Sequence, residues 1–186
     1  MLFSETGVAG AFLIEPERVS DERGFFARTW CQREFEAHGL NPALVQCSVS
    51  FNRHAGTLRG MHYQAAPHQE AKLVRCTMGA IYDVAIDLRP GSPTFGAHAA
   101  VVLSAENRRL LYVPEGAAHG FLTLEDDTEV AYQMSAFYEP AAAQGVRFDD
   151  PAFGIQWPRE VRVITERDRT YPDTDLAALA AVSSAP

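Results

Sequence analysis

Gly56-Thr57-Leu58-Arg59-Gly60-Met61-His62-Tyr63-Gln64 is the stretch around which the rest of the chain is organised. Apolar and polar residues roughly alternate along residues 58–64, which predicts a β-strand with one face lining something polar. Side chains two positions apart share a face in a regular strand, so we expect two opposed sets: Gly60, His62 and Gln64 against Arg59, Met61 and Tyr63. Glycine within a strand marks either a bend or the close approach of a ligand. These residues alone therefore fit both a hydrogen-bonded core histidine and a binding site.

Short strand-like segments recur on both sides of this stretch. They occupy residues 10–19, 44–51, 57–64, 72–78, 80–88, 94–103, 109–114, 120–124 and 130–138. Turn-forming residues such as Met78-Gly79 and 89–93 separate several of them. Many short strands with turn signals at this spacing predict an all-β sandwich or barrel. No helical pattern alternates with the strands, as a Rossmann-type sheet would require.

The remaining segments predict only peripheral structure. Residues 31–38 have helical character, and Gly39 fits the end of a helix. Residues 25–30 are aromatic enough for a strand or a binding edge, and residues 149–159 predict an irregular covering segment. The Ala/Ser-rich residues 176–186 predict a short terminal helix that frays. A chain of 186 residues accommodates a single domain, 1–186, with its core at about residues 10–170.

Composition excludes several classes of function. With 47% hydrophobic residues, 22% charged residues and a formal net charge of −8, the chain is typical of a soluble globular protein. A general nucleic-acid binder needs a net basic surface, so no nucleic-acid partner is expected. No apolar run reaches the length of a membrane span and no basic, apolar leader is present, so neither a membrane partner nor a signal peptide is expected.

Two smaller features of the composition point to a location and a ligand. The three cysteines, Cys31, Cys47 and Cys76, have no CxxC spacing, which predicts buried thiols in a reducing cytoplasm rather than a zinc site. The acidic balance still permits a local basic pocket for a phosphorylated ligand. Its candidate residues are Arg23, Arg28, Arg53, Arg59 and Lys72.

Two motifs resemble those of the cupin jelly rolls. Gly56-x5-His62 begins the first motif, and Pro114-x-Gly116-x2-His119 reproduces the centre of the second. The metal ligands of that fold are incomplete here, because the second histidine position is Gln64 and Glu70 stands one place beyond the acidic position. A non-haem iron or manganese centre needs several convergent imidazole and carboxylate ligands, so neither a metal nor another cofactor is expected. An imidazole inside a barrel without a metal suggests proton transfer.

Further sequence blocks resemble one family over about residues 12–168. They are Asp21-x-Arg23-Gly24-Phe25-Phe26, the stretch 56–64, Lys72-Leu73-Val74, Asp83-Val84-x-x-Asp87-Leu88-Arg89, Ser92-Pro93-Thr94-Phe95-Gly96, Pro114-x-Gly116-x-Ala118-His119-Gly120-Phe121, Tyr132 with Tyr138, Asp150-Pro151 and Trp157-Pro158. The chain is similar to the dTDP-4-dehydrorhamnose 3,5-epimerase family, which comprises cofactor-free cupins of deoxysugar biosynthesis. The resemblance implies an all-β, cupin-like double-stranded β-helix or jelly roll with a few short peripheral helices.

The resemblance also implies a reaction and four catalytic residues. The substrate would be a nucleotide-linked 4-keto-6-deoxyhexose whose ketone acidifies the neighbouring C–H groups at C3 and C5, and epimerisation needs a base, an acid and a group that holds the enolate oxygen. By resemblance His62 is the base and Asp168 the carboxylate that orients it. Tyr132 would be the acid on the opposite face, and Lys72 would stabilise the enolate.

Eight further residues are implied to bind the nucleotide-sugar. Arg59 and Arg23 would bind the diphosphate, with Arg23 supplied by a partner subunit, since the N-terminal strands of the family cross between the subunits of a homodimer. The remaining implied contacts are Phe26 and Tyr138, which would stack on the base, with Arg28, Gln46, Ser48 and His119. Arg28, Ser48 and Ala143 stand where the family usually has glutamate, asparagine and glutamate, so the identity of the nucleotide stays open.

Local sequence alone favours plainer roles for several of these residues. Tyr132 is typical of a barrel-wall tyrosine with a satisfied hydroxyl, and Asp168 of a surface residue in a charged segment. Asp83 fits either an inward partner of a histidine or arginine, or a satisfied core acid. Other functions also stay open: an epimerase acting at C3 only, one using a CDP- or GDP-linked sugar, a metal-dependent cupin oxygenase or isomerase, and a non-catalytic sugar-nucleotide binding protein.

Overall fold

A computed structural model describes residues 1–182 of the chain. Its strands are β1 (Leu2–Glu5), β2 (Phe12–Glu15), β3 (Arg18–Asp21), β4 (Gly24–Ala27), β5 (Gln46–Asn52), β6 (Leu58–Gln64), β7 (Lys72–Met78), β8 (Ala80–Asp87), β9 (His98–Ser104), β10 (Leu110–Val113), β11 (Ala117–Thr123), β12 (Thr128–Met134) and β13 (Ala143–Gly145). Its helices are α1 (Gln32–Ala37), α2 (Glu166–Arg169) and α3 (Leu176–Val182). Within this part of the chain no helix is long and apolar enough to span a membrane.

The strands form two facing sheets and one hairpin. The six-stranded sheet has the order β1-β2-β10-β7-β12-β5, and the five-stranded sheet has the order β13-β6-β11-β8-β9. Every pair of neighbouring strands is antiparallel. Strands β3 and β4 pair only with each other and belong to neither sheet. Because neighbours in the sheets are often distant in sequence, as in a jelly roll, the predicted all-β sandwich is confirmed.

Apolar side chains fill the space between the sheets. The central cluster includes Val74, Ile81, Leu103, Leu111 and Phe121, which are at most 1% exposed. The C-terminal segment covers the outer face of the five-stranded sheet, where its residues pack against buried side chains of β6 and β8. No helix or strand lies within residues 149–159, which agrees with the irregular covering segment predicted there.

Helix α1 lies within the predicted segment 31–38, one residue shorter at each end, and it ends before Gly39 for a physical reason. The N–H of Gly39 donates to the carbonyl of Glu36, and the N–H of Leu40 donates to the carbonyl of Phe35. This pair of hydrogen bonds is typical of a helix that ends at a residue in the left-handed region, and Gly39 has φ +69°. The buried Phe35 then anchors the helix against Tyr112 of the six-stranded sheet.

Three predictions about secondary structure and burial are wrong. Residues 10–19 form two strands rather than one, because Pro16 lies between β2 and β3 and has no N–H for a ladder. Strands β1 and β13 were not predicted. Of the cysteines only Cys76 is buried, whereas Cys47 is exposed because it alternates with inward residues on the edge strand β5. Helix α3 agrees with the predicted terminal helix up to residue 182, and residues 183–186 lie outside the described part.

Candidate active site

A cavity of about 660 Å³ opens between the two sheets. It brings together nine of the twelve residues predicted to form the site: His62, Tyr132, Asp168, Lys72, Gln46, Ser48, Arg59, His119 and Tyr138. Seven more lining residues were not predicted: Val49, Ser50, Glu70, Phe121, Met134, Thr165 and Arg167. The cavity is therefore polar at several points of its wall and closed by aromatic and aliphatic side chains elsewhere.

A bulge in the pairing of β6 with β11 sets which side chains of β6 enter the cavity. His119 lies opposite His62, but Phe121 lies opposite Arg59, so Gly60 and Met61 together face Gly120. An extra residue in one strand reverses the alternation beyond it. Arg59 and His62 consequently both line the cavity, although they are three positions apart. The regular alternation expected from the sequence is wrong at this point.

Only glycine fits at the centre of this bulge. A methyl group on Gly60 would lie 2.5 Å from Cα of Gly120, and Gly60 has φ +134°. A methyl group on Gly120 would lie 2.6 Å from Sδ of Met61 and 2.8 Å from the carbonyl oxygen of Arg59. Met61 itself is fully buried in the core. The two glycines thus allow the close backbone approach that turns Arg59 and His62 to the same side.

His62 and Asp168 form a hydrogen-bonded pair at the cavity wall. Nε2 of His62 lies 2.7 Å from Oδ1 of Asp168, whose side chain is 5% exposed, while that of His62 is 39% exposed. An ionised carboxylate can only accept, so Nε2 carries the proton and Nδ1 keeps its lone pair. The N–H of Gly60 donates to Oδ2 of Asp168 at 3.3 Å. The imidazole is held in one tautomer and has a free nitrogen able to act as a base.

Backbone pairing brings the distant Asp168 to β6. Thr57 and Val163 form a parallel bridge, and the N–H of Leu58 donates to the carbonyl of Val163. Helix α2 begins a few residues later, where Oγ1 of Thr165 accepts from the N–H of Asp168. The surface position that local sequence suggests for Asp168 is wrong, because this pairing turns α2 inward and leaves Asp168 4% exposed.

The pKa of Asp168 stays below its ordinary value despite its burial. Burial alone raises the pKa of this carboxyl group. The hydrogen bond and charge of His62 and the N–H of Gly60 together lower the pKa by a larger amount. Asp168 is therefore ionised at neutral pH. An imidazolium formed on His62 would be stabilised by a full negative charge 2.7 Å away.

Tyr132 lies on the opposite wall of the cavity from His62. It belongs to β12 of the six-stranded sheet, whereas His62 belongs to β6 of the five-stranded sheet. Oη of Tyr132 lies 3.3 Å from Oγ of Ser50. Burial raises the pKa of the phenol, and the negative charge of Asp83 raises it further. The phenol is therefore fully protonated at neutral pH and can serve as a proton donor.

Lys72 reaches into the cavity from β7, next to the strand of Tyr132. Its Nζ donates to the carbonyl oxygen of His62 at 3.3 Å and lies 3.2 Å from Oε1 of Glu70. The side chains of Lys72 and Glu70 are 11% and 10% exposed. An ammonium group is thus fixed on the cavity wall between a carboxylate and the backbone of the strand that carries His62.

A second histidine–carboxylate pair lies deeper in the barrel. Nε2 of His119 lies 2.8 Å from Oδ1 of Asp83, and both side chains are almost fully buried. Of the two roles that the sequence leaves open for Asp83, the structure agrees with the first: Asp83 points inward and pairs with a histidine. His62 and His119 thus each hydrogen-bond a separate carboxylate. Among residues 1–182 no group of three or more His, Cys, Asp or Glu side chains could hold a metal ion.

Two arginines line the cavity near its mouth. Nε of Arg59 donates to Oδ1 of Asn52 at 2.7 Å, and Nε of Arg167 donates to Oη of Tyr171 at 2.8 Å. Arg167 was missed because nothing in the local sequence distinguishes it from its charged neighbours. The available signal is Thr165, a preferred N-cap residue, which predicts a helix start and hence a fixed direction for the next side chains.

Three predicted binding residues do not line this cavity. Arg23 lies in the turn between β3 and β4, is 85% exposed and pairs with Asp21. Phe26 is 79% exposed on the same hairpin. Arg28 is 61% exposed and pairs with Glu34. Since the hairpin belongs to neither sheet, a single chain does not bring these residues to the site, and their roles stay predictions that require a second copy.

Fold and site together define the class of the protein. An antiparallel jelly roll with a histidine–carboxylate pair and a buried phenol on facing walls of one cavity is typical of a cupin-type isomerase, because these groups are suited to acid–base chemistry. The model of the family described as dTDP-4-dehydrorhamnose 3,5-epimerase matches residues 5–175. The chain belongs to this family, and the predicted cupin-like fold is confirmed.

Individual relatives agree with this assignment. The dTDP-4-dehydrorhamnose 3,5-epimerase of Sinorhizobium fredii is 42% identical over 173 residues, which cover 92% of this chain and 89% of the relative. A crystal structure of the Bacillus anthracis enzyme with TDP and PPi bound matches with a TM-score of 0.88 and 39% identity, over 93% of this chain and 99% of that one. A 3′-monoepimerase from Streptomyces bikiniensis in complex with dTDP-quinovose matches with a TM-score of 0.83 and 34% identity, over 95% and 88%.

Proposed function

We propose that the chain epimerises a nucleoside-diphospho-4-keto-6-deoxyhexose of the dTDP-4-dehydro-6-deoxyglucose type at C3, at C5 or at both. The observation that carries this proposal is the placement of the His62–Asp168 pair and the Tyr132 phenol on facing walls of one cavity. Inversion at a carbon requires a proton to leave one face and another to arrive on the opposite face. A base and an acid on opposite walls meet that requirement.

The first half of the reaction is proton abstraction beside the ketone. Nδ1 of His62 takes the proton from C3 or C5, and the C–H electron pair moves into the ring to form an enolate whose negative charge lies on the C4 oxygen. Asp168 stabilises the imidazolium that results. The ammonium of Lys72 stabilises the enolate oxygen in a largely enclosed cavity, where electrostatic interactions are stronger than in water.

The second half is reprotonation from the other wall. Tyr132 donates its proton to the carbanion carbon as the enolate collapses back to the ketone. The imidazolium of His62 then releases its proton to solvent and the phenolate takes one up from solvent, which restores both groups. The carbon keeps its oxidation state throughout, so the proposed step needs no redox cofactor. The raised pKa of Tyr132 is consistent with a donor that gives up its proton only to a strongly basic carbon.

The diphosphate and the nucleoside would occupy the mouth of the cavity. Arg59 and Arg167 present guanidinium groups to the diphosphate, and Tyr138 is an exposed aromatic ring for stacking on the base. Gln46, Ser48 and His119 would make polar contacts to the substrate. A homodimer would complete the site, since Arg23, Phe26 and Arg28 of one copy would then reach the cavity of the other. We place the reaction in the cytoplasm, where the free thiols of the chain would stay reduced.

The proposal leaves two points open: which nucleotide the sugar carries, and which carbon is epimerised. Ser48 lines the cavity, so a serine in place of the usual asparagine changes the hydrogen bonds offered to the ligand there. Arg28 and Ala143 lie outside the cavity lining. The similarity to 3,5-epimerases at 39–42% identity favours action at both carbons over action at C3 alone, the reaction of the 3′-monoepimerase from Streptomyces bikiniensis, which is 34% identical.

Solvent isotope exchange tests the proposal and separates the alternatives. Incubation with dTDP-4-keto-6-deoxyglucose in deuterated water should place deuterium at C3, at C5 or at both, as read by mass spectrometry and proton NMR. The CDP- and GDP-linked sugars serve as parallel substrates. His62→Ala should abolish exchange. Absence of exchange with all three nucleotide forms would end the epimerase proposal, and loss of activity in a chelator would favour a metal-dependent cupin instead.

A further inference from the structure

Three cationic side chains line the cavity, and only one of them is paired with a carboxylate. Lys72 lies 3.2 Å from Glu70. None of the ion pairs within residues 1–182 involves Arg59 or Arg167, whose nearest hydrogen-bond partners are an amide, a carbonyl and a phenol. The proposed reaction accounts for Lys72 and leaves Glu70, a buried acid in the wall of the site, without a role.

Glu70 is itself held in place from behind. Nε2 of Gln64 lies 3.4 Å from Oε2 of Glu70, and the same amide donates to the carbonyl of His68 at 2.9 Å. Oε1 of Gln64 accepts from the N–H of Glu139 at 2.6 Å, and Gln64 is 3% exposed. The same Nε2 also donates to the carbonyl of Phe137 at 3.1 Å, so its two N–H groups are used by backbone carbonyls and the amide forms a fixed wall behind Glu70. The main partner of the Glu70 carboxylate is the ammonium of Lys72, whose position it fixes.

A paired lysine treats the two ends of a nucleotide-sugar differently. A diphosphate is attracted by the ammonium and repelled by the adjacent carboxylate, so the pair as a whole offers it little. A ketone oxygen is uncharged, so the carboxylate does not repel it on binding, and the remaining N–H groups of the ammonium can donate directly to it and to the single charge that develops on it in the enolate. The unpaired guanidinium groups of Arg59 and Arg167 carry no such compensation and attract the diphosphate fully.

We propose that Glu70 is a positioning residue that reserves Lys72 for the ketone of the sugar and directs the diphosphate to Arg59 and Arg167. This inference rests on the proposed function of the same cavity. Without the carboxylate, Lys72 becomes a third free cation, and a diphosphate can bind across the position that the sugar ring needs. The orientation of the substrate then depends on a side chain that acts through the lysine.

Pyrophosphate binding tests the electrostatic part without using catalysis. Isothermal titration calorimetry with inorganic pyrophosphate would compare the wild-type chain, Glu70→Gln, Lys72→Met and the double variant. Glu70→Gln should bind pyrophosphate about tenfold more tightly, because it frees a cation at constant shape. Adding Lys72→Met should remove that gain. Glu15→Gln is the matched control, since it removes a carboxylate paired with Arg109 on the surface. Glu70→Gln binding no tighter than wild type would overturn the proposal.

Steady-state kinetics tests the positioning part. Glu70→Gln should lower kcat about tenfold with KM changed less, and Glu70→Asp should restore part of the loss because it keeps the charge. In the Lys72→Met background Glu70→Gln should cost nothing more, since Glu70 acts through that lysine. Losses that multiply, with unchanged melting temperatures, would contradict the proposal. A wild-type chain without any exchange would refute the proposed function alone, because the pyrophosphate titration still decides the role of Glu70.

Discussion

Replacing Asp168 by asparagine isolates the charge of the carboxylate from its shape. The amide oxygen of asparagine can still accept from Nε2 of His62 at the 2.7 Å contact, whereas its NH2 group replaces the oxygen that now accepts from the N–H of Gly60 at 3.3 Å. The imidazolium formed during proton abstraction loses its counter-charge. We therefore expect a change in rate rather than in fold.

The size of this effect follows from the geometry. Two unit charges about 4 Å apart at an effective dielectric constant of about 20 attract each other by roughly 4 kcal/mol. Asp168 is 5% exposed and undergoes little screening, whereas His62 is 39% exposed and undergoes more, which reduces the expected loss to roughly 3–4 kcal/mol. Since 1.36 kcal/mol corresponds to tenfold in rate, Asp168→Asn should slow exchange by about 10²–10³-fold.

The assay is deuterium exchange at saturating substrate, with the melting temperature measured on the same samples. Asp173→Asn is the matched control, because it removes a carboxylate that pairs with Arg147 and is 67% exposed. The control should leave the exchange rate unchanged. If Asp168→Asn kept more than about a third of the wild-type rate, the carboxylate would not stabilise a charged intermediate on His62, and the reasoning would be refuted.

Two further predictions concern stability. Gly120→Ala should lower the free energy of unfolding by about 1–3 kcal/mol, visible as a fall in the denaturant midpoint, because its methyl group would overlap Met61; an unchanged midpoint would mean that the bulge relaxes freely. Burial raises the pKa of Asp87, but hydrogen bonds from Arg89, Ser92 and Thr94 outweigh it and lower the pKa from 3.8 to about 2. This shift corresponds to roughly 2 kcal/mol of stability. Because the folded pKa is the lower one, this contribution is complete above pH 4 and is lost as the pH falls toward 2. Asp87→Asn should remove it at neutral pH and flatten the acid limb of the stability profile; equal acid sensitivity of both proteins would contradict this.

Local patterns predict the regular parts of the fold well. The strand-like segment 72–78 ends at the turn signal Met78-Gly79, and β7 occupies that range. Helix α1 is equally predictable, since Gly39 supplies its end and Phe35 its anchor. In these elements the local preference and the tertiary environment favour the same conformation.

The site is less predictable because it depends on pairing between distant strands. The bulge that turns Arg59 beside His62 requires Gly120 on another strand. Gly60 indicates a bend or a close approach, but the sequence of β6 alone does not predict which side chains then face the cavity. Asp168 enters the site only because the segment before it pairs beside β6. The family resemblance identified Asp168 as a site residue, whereas its charged neighbours in the sequence suggested a surface position.

The hairpin residues mark a different limit. Arg23 and Phe26 are exposed on a two-stranded ribbon that a single chain leaves uncovered. An isolated two-stranded ribbon is marginally stable in water, so its position in an assembly depends on what covers it. Their predicted contact with the nucleotide would require a second copy of the chain.

The proposal that protons leave and arrive on opposite walls is tested most directly by Tyr132→Phe in deuterated water. His62 remains intact in this variant, so loss of the substrate's C3 proton should continue at no less than about a tenth of the wild-type rate, while formation of the epimer should fall by at least about 10²-fold. Proton NMR of one reaction follows both quantities. Equal losses of exchange and of epimer formation, or full retention of both, would contradict a mechanism with a histidine base on one wall and a phenol acid on the other.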